Sequence, residues 1–157
     1  MRLRSQTHAA LRALLDLSLH SATHAPVPVS DIARRQELGT AFLEQLLRPL
    51  KKAGLVAPWR GMKGGYTLAR PAEDISLLAI LKALDDPAVR PAGLGETLGR
   101  AASQAAVEAL GEIEAHLAQA LGALSLADLR RRAQANPDLR DAPRVGTGFQ
   151  IWWPSTW

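Results

Sequence analysis

The sequence predicts a mainly α-helical protein with a small β-wing: a winged helix-turn-helix domain followed by a long dimerisation helix. Three observations lead there. Ala and Leu, both strong helix formers, make up about a third of the 157 residues. Apolar residues recur at helical spacing over most of the chain but switch to a period of two, punctuated by glycines, between Leu55 and Leu68. Beyond Gly95, Leu110, Ile113, Leu117, Ala120 and Leu124 step by three and four, the rhythm of a coiled-coil seam.

Each element follows in order. Leu11, Leu14, Leu15 and Leu19 predict an amphipathic helix over residues 6–22, broken by His20 to Pro28. Ser30 suits the N-cap of a short helix to Glu37, and Gly39-Thr40 supplies a turn and a second N-cap. Leu43, Leu46, Leu47 and Leu50 form one face of the next helix, which stops at Gly54. Pro49 lies well inside it, removes one hydrogen bond and crowds the carbonyl of Gln45, so a bend over Gln45 to Pro49 is expected. Leu55, Ala57 and Trp59, then the Gly64-Gly65 pair, then Tyr66 and Leu68 read as a hairpin, with Pro58 marking an edge strand. Ser76 caps a closing helix through Leu77, Leu78, Leu81 and Leu84 that ends at Asp86-Pro87. A Pro/Gly-containing loop leads into a helix over residues 97–124, about 42 Å at 1.5 Å per residue. An 86-residue domain alone does not cover that length, so the stripe calls for the same helix of a second subunit; packing against the closing helix is the alternative. Ser125 caps a last short helix, with Asp128 at its third position and Arg130-Arg131-Arg132 towards its end.

Composition bounds the chemistry. The chain has no cysteine, which removes disulfides, thiolate zinc sites and cysteine-held iron–sulfur clusters. Its histidines, His8, His20, His24 and His116, are too scattered to replace thiolates, so no cofactor and no metal are expected. No stretch is long and apolar enough to span a membrane and the N-terminus lacks an export signal, so a cytoplasmic protein is expected. No Ser/His/Asp set, carboxylate pair or phosphate loop appears, and Gly61 to Gly65 fall in a hairpin rather than before a helix, so an enzyme is not expected. The net charge is +4, and Arg48, Lys51, Lys52, Arg60, Lys63 and Arg70 occur without an intervening acid. Such a cluster suits phosphate contacts; a solvated basic face is the other reading.

The run Arg60-Gly61-Met62-Lys63-Gly64-Gly65-Tyr66-Thr67-Leu68-Ala69-Arg70-Pro71 resembles the wing of the bacterial Rrf-type regulators, the family of IscR, NsrR and CymR. Leu43-Glu44-Gln45-Leu46-Leu47, Ala53-Gly54-Leu55-Val56, Met1-Arg2-Leu3, Ala10 to Asp16, Glu73-Asp74-Ile75 and Ser125 to Leu129 extend the likeness over residues 1 to about 133. The resemblance implies a homodimeric winged-helix transcription regulator on an approximately palindromic double-stranded operator, a repressor in the first instance. It carries over Glu44 and Gln45 on the recognition helix and Arg60 and Gly61 in the wing. Gln pairs bidentately with adenine, Glu accepts from cytosine, and an Arg on a glycine-flanked tip enters a minor groove. Lys51, Lys52 and Lys63 are expected at phosphates, and Arg2, Arg4, Thr40 and Arg48 complete the expected DNA-facing set.

On this reading residues 1–86 are the DNA-binding domain, 87–96 a hinge loop, 97–133 the dimerisation helix with the short helix after it, and 134–157 an irregular tail. The chain departs from the family at Pro49 and in two further ways. Many members hold an iron–sulfur cluster on three cysteines between the closing and dimer helices, where this chain has none, so its effector, small molecule or protein, is of another kind and is not named by the sequence. His8-Ala9 also stands where the family usually has Arg-Tyr. Phe149, Trp152, Trp153 and Trp157 crowd the tail, which suits docking across the dimer or onto a protein partner, with a solvated end as the alternative. The rival function is a protein-interaction module that binds a metabolic enzyme or another regulator, with DNA binding secondary.

Overall fold

The computed structural model describes residues 3–21, 25–59, 64–89 and 100–135, which form six α-helices and one two-stranded antiparallel hairpin. The first helix, α1 (Ser5–His20), is the central pillar. It touches α2 (Val29–Gln36), α3 (Thr40–Lys52), the second strand β2 (Gly65–Leu68) and the last helix α6 (Leu126–Ala135). Its buried side is Ala10, Ala13, Leu14 and Leu17, and the small residues in that row let neighbouring helices come close. Of the leucine stripe expected from spacing, Leu14 is buried and Leu11 and Leu15 pack partly buried against the core, while Leu19 is exposed. Four neighbours surround α1, so the alanines carry contact that a one-sided amphipathic helix would give to leucines.

The turn between α2 and α3 differs from expectation in its details. Pro28 occupies the N-cap of α2 and Ser30 lies within the helix, because Pro28 already fixes a φ of −58° at the entry. Glu37 takes the left-handed position (φ 55°) and passes its neighbour's N–H back to Ala33 O at 2.9 Å, closing α2 before Gly39 is reached. Gly39, not Thr40, is then the N-cap of α3. From there α3 runs continuously through Pro49 to Lys52, with Leu43, Leu46, Leu47 and Leu50 all buried. The helix is not interrupted, because those four leucines anchor it on both sides of Pro49.

Strand β1 (Val56–Trp59) pairs with β2 from Val56 opposite Leu68 to Trp59 opposite Gly65. Leu55 and Val56 are both buried and exposure rises along β1 until Trp59 is 57% exposed, so the expected common face of Leu55, Ala57 and Trp59 gives way to a gradient. The hairpin leaves the core as it runs outward. Val27 pairs with Tyr66 on the far side of β2 through N–H···O bonds of 2.9 and 3.0 Å. A Cβ on Gly65 would sit 2.3 Å from the Val27 carbonyl oxygen, so only glycine fits at that point of the motif.

Ser76 caps α4 (Leu77–Ala83), accepting from Ala79 N–H at 3.2 Å. The closing helix ends earlier than expected, because Asp85 adopts the left-handed conformation and the chain then makes a 3-10 turn at Pro87–Val89 in what was expected to be irregular loop. The long helix α5 (Arg100–Ala123) follows, and its connection to α6 is pinned to the start of α4. Leu77 N–H donates to Leu124 O at 2.7 Å, and Leu126 N–H to Ile75 O at 2.8 Å. Ser125 and Asp128 cap α6 reciprocally: Ser125 Oγ accepts from Asp128 N–H, and the Asp128 carboxylate accepts from Ser125 N–H and its hydroxyl. Helix α6 continues to Ala135, so the first two residues of the expected irregular tail are helical; Pro137 lies just beyond. The rest of the tail, with Phe149, Trp152, Trp153 and Trp157, lies outside the described residues, as do residues 90–96 of the expected hinge and 97–99 of the expected dimerisation helix.

Candidate nucleic-acid interface

With its four leucines turned inward, α3 presents Thr40, Glu44, Gln45, Arg48, Lys51 and Lys52 outward, all exposed. The same 3.6-residue period that buries one side thus gathers six of the expected DNA-facing residues on the other. Arg4, exposed at the start of α1, joins them: Arg4 and Gln45 line the same small hollow of about 110 Å³, together with Thr7, Leu46 and Pro49. Arg2, Arg60, Gly61 and Lys63 lie outside the described residues.

Two arrangements hold this face in place, and neither was visible in the sequence. The N-cap of α1 has no side-chain partner of its own. Instead the buried carboxylate of Asp86, far along the chain, accepts from Arg4 N–H at 3.1 Å and from the Thr7 hydroxyl. This carboxylate therefore fixes the segment that carries Arg4 beside α3. The second arrangement sets α2 against α1. The buried Asp16 carboxylate accepts two bonds from Arg35 Nε, at 2.9 and 3.1 Å, one from Arg35 Nη2 at 2.6 Å and one from Gln36 Nε2 at 2.9 Å. Hydrogen bonding to Asp16 holds the Arg35 guanidinium pKa above its usual value, against the opposing cost of burial. The carboxylate is buried while Arg35 reaches it from the surface, and together with Gln36 the pair ties α2 to α1.

Arg70 has a different role from the phosphate contact that the basic cluster suggested. Its guanidinium donates to Gly54 O at 3.1 and 3.2 Å and to Ala53 O at 3.4 Å, at the C-terminal end of α3. A cation there satisfies orphan carbonyls and complements the helix dipole. Arg70 thus ties the root of the hairpin to the recognition helix.

The expected dimer residues are placed unevenly. Ile113 is 63% exposed, Ala120 is exposed, and Leu110, Leu117 and Leu124 are partly covered. Leu121, which the heptad reading left out, is buried, alone among the described side chains of α5, and a Cβ on Gly122 beside it would come within contact distance of Leu78 on α4. One edge of α5 therefore packs within the chain while Ile113 on another edge stands exposed.

Residues 3–132 match the model of the Rrf2 family, described as an iron-dependent transcriptional regulator. The chain belongs to this family. Among its relatives, the HTH-type transcriptional regulator IscR of Photobacterium profundum is 46% identical over 86 residues, 55% of this chain and 49% of that protein. IscR of Vibrio campbellii is 42% identical over 101 residues, 63% of this chain and 60% of that one. The chain therefore spans about half the length of the sequence relatives it matches. Among solved structures, the global cysteine regulator CymR of B. subtilis aligns with a TM-score of 0.69 at 26% identity, covering 84% of this chain and 98% of that one. IscR of T. potens aligns with a TM-score of 0.63 at 31% identity over 87% and 91% of the two chains. These relatives are transcriptional regulators rather than enzymes, and the fold they share is the winged helix seen here. No helix among the described residues is long and apolar enough to cross a membrane.

The family description raises iron, and the donor set of this chain does not fit it. There is no cysteine anywhere in the sequence, and among the described residues no three His, Asp or Glu side chains gather as a metal site. A thiolate-held cluster has no ligands here.

Proposed function

We propose that this Rrf2-family protein is a homodimeric, sequence-specific DNA-binding regulator, a repressor that acts by occupying an approximately palindromic operator without a thiolate-held iron–sulfur cluster. The outward face of α3 carries the reading. Glu44 and Gln45 stand side by side on a helix whose ends are fixed by a buried leucine row and by Arg70, with Lys51 and Lys52 at its exposed C-terminal end. Base readout falls to Glu44 and Gln45, and positioning on phosphates to Arg4, Thr40, Arg48, Lys51 and Lys52. Arg60 and Gly61 are assigned to the minor groove and Lys63 and Arg2 to phosphates, as the family motif implies. Residues 1–86 form the reading unit, and Leu110, Ile113, Leu117, Ala120 and Leu124 pair two copies so that two α3 helices reach successive major grooves.

The test starts from fragmented genomic DNA retained by the purified protein and sequenced, followed by anisotropy titrations on the recovered site. Gln45→Ala should cost about 1–3 kcal/mol on that site and much less on random DNA. Lys51→Ala should weaken both alike and lower the salt slope by about one. Equal losses for Gln45→Ala on the two DNAs would remove it from base readout.

A further inference from the structure

An open hollow of about 520 Å³ lies between the C-terminal end of α1, the root of the hairpin and α6. Its walls include Ser18, Trp59, Thr67, Arg70, Glu73 and Arg130. No part of the proposed DNA contact uses Trp59, Glu73 or Arg130. The indole of Trp59 is more than half exposed, which leaves a large flat apolar surface facing water. Arg130 comes from α6 and Arg70 from just after β2, so two guanidinium groups and a single carboxylate, that of Glu73, line the hollow.

That carboxylate does not saturate Arg130. The Arg130–Glu73 separation is 3.7 Å and Glu73 is 65% exposed, so the pair is loose and solvent-screened. Arg130 is positioned by a second bond, Nη1 donating to Ser18 O at 3.2 Å, which takes one side of the fork and leaves Nη2, the nitrogen that faces Glu73, able to receive a better-placed anion. A planar apolar wall, a positioned guanidinium with a weak partner and a net positive lining together select a ligand with a flat ring and one carboxylate. We propose that this hollow binds a small ring-bearing organic carboxylate, its ring against Trp59 and its carboxylate on Arg130.

The location gives such binding a route to the rest of the molecule. Trp59 is the last residue of β1 and immediately precedes Arg60, while Arg70 in the same hollow holds the carbonyls that end α3. A ligand here touches both the wing root and the far end of the recognition helix.

The binding claim is tested on the full chain without DNA, so its outcome is separate from that of the DNA reading. Benzoate and indole-3-carboxylate serve as probes, with benzamide as the uncharged control, in the millimolar range expected for ligands of that size. The readout is the indole N–H resonance of Trp59, identified by its loss in Trp59→Phe, which separates it from the three tryptophans of the tail. At least one carboxylate should shift that resonance saturably while benzamide does not. Arg130→Gln should weaken binding about tenfold, the loss of one charge-assisted hydrogen bond. Glu73→Gln, an exposed change that removes the competing carboxylate, should tighten it. No saturable shift with either carboxylate, an equal shift with benzamide, undiminished binding by folded Arg130→Gln or weaker binding by Glu73→Gln would each overturn the proposal.

Discussion

Helices α3 and α5 are both amphipathic, yet they spend their apolar faces in opposite ways. All four leucines of α3 are buried within the chain, and what α3 offers to the surroundings is polar and basic. In α5 only Leu121 is buried among the described side chains, while Ile113 stands in solvent with Leu110 and Leu117 half covered. The first helix is finished by its own fold, and its outer face is free to meet a charged polymer. The second is left with an apolar strip, and a partner of like character is what such a strip needs.

The sharpest way to break this contrast is to truncate one leucine of α3. Leu47→Ala should cost about 2–5 kcal/mol of folding stability, read as a lower denaturant midpoint with an unchanged slope. If α3 were loosely held, the loss would be well below that range.

On the α5 side the corresponding change should leave folding alone and act on assembly. Ile113→Glu alters an exposed side chain, so the denaturation midpoint at low protein concentration should move by no more than about 0.5 kcal/mol equivalent. In sedimentation the same variant should be monomeric, because an unpaired charge in an apolar seam commonly costs about 2 kcal/mol or more of association energy. A variant that stays dimeric would assign the Ile113 strip another role.

The contrast also explains which parts of the molecule are legible in the sequence. Periodic burial is a local signal, and it locates α1, α3 and the hairpin to within a few residues, together with the Ser76 and Ser125 caps. The outward residues of α3 follow from the same period and from the family motif. What sequence does not supply are contacts that join distant positions. Asp86 reaches back to Arg4 and Thr7, Asp16 on α1 collects Arg35 and Gln36 from α2, and Val27 adds itself to the hairpin at Tyr66. No spacing rule marks any of these. Arg70 shows the converse failure: its charge is legible, but its commitment to the carbonyls of Gly54 and Ala53 is not, so a charge count groups it with the phosphate contacts. Thr40 and Ser30 sit one or two positions inside their helices rather than at the caps, because Gly39 and Pro28 set the backbone geometry first.

The smallest expected effect concerns the joint between the two regions, the Ser125 turn that docks α5 and α6 onto the start of α4. The Asp128 carboxyl is held below the usual carboxylate range, first by the backbone N–H of Ser125, then by its hydroxyl, with Arg131 contributing and desolvation opposing. A carboxyl lowered in the folded state stabilises that state at pH values above its unfolded value, and this contribution is lost as pH falls through the lowered one. Asp128→Asn keeps the shape but lacks the charge. It should therefore be slightly less stable than the parent at neutral pH, and the gap should close as acid protonates Asp128 in the parent. Denaturation midpoints of both proteins from neutral to strongly acidic pH check this. A gap that persists unchanged into acid would mean that the cap acts through geometry alone and that charge plays no part in holding the α5–α6 turn to α4.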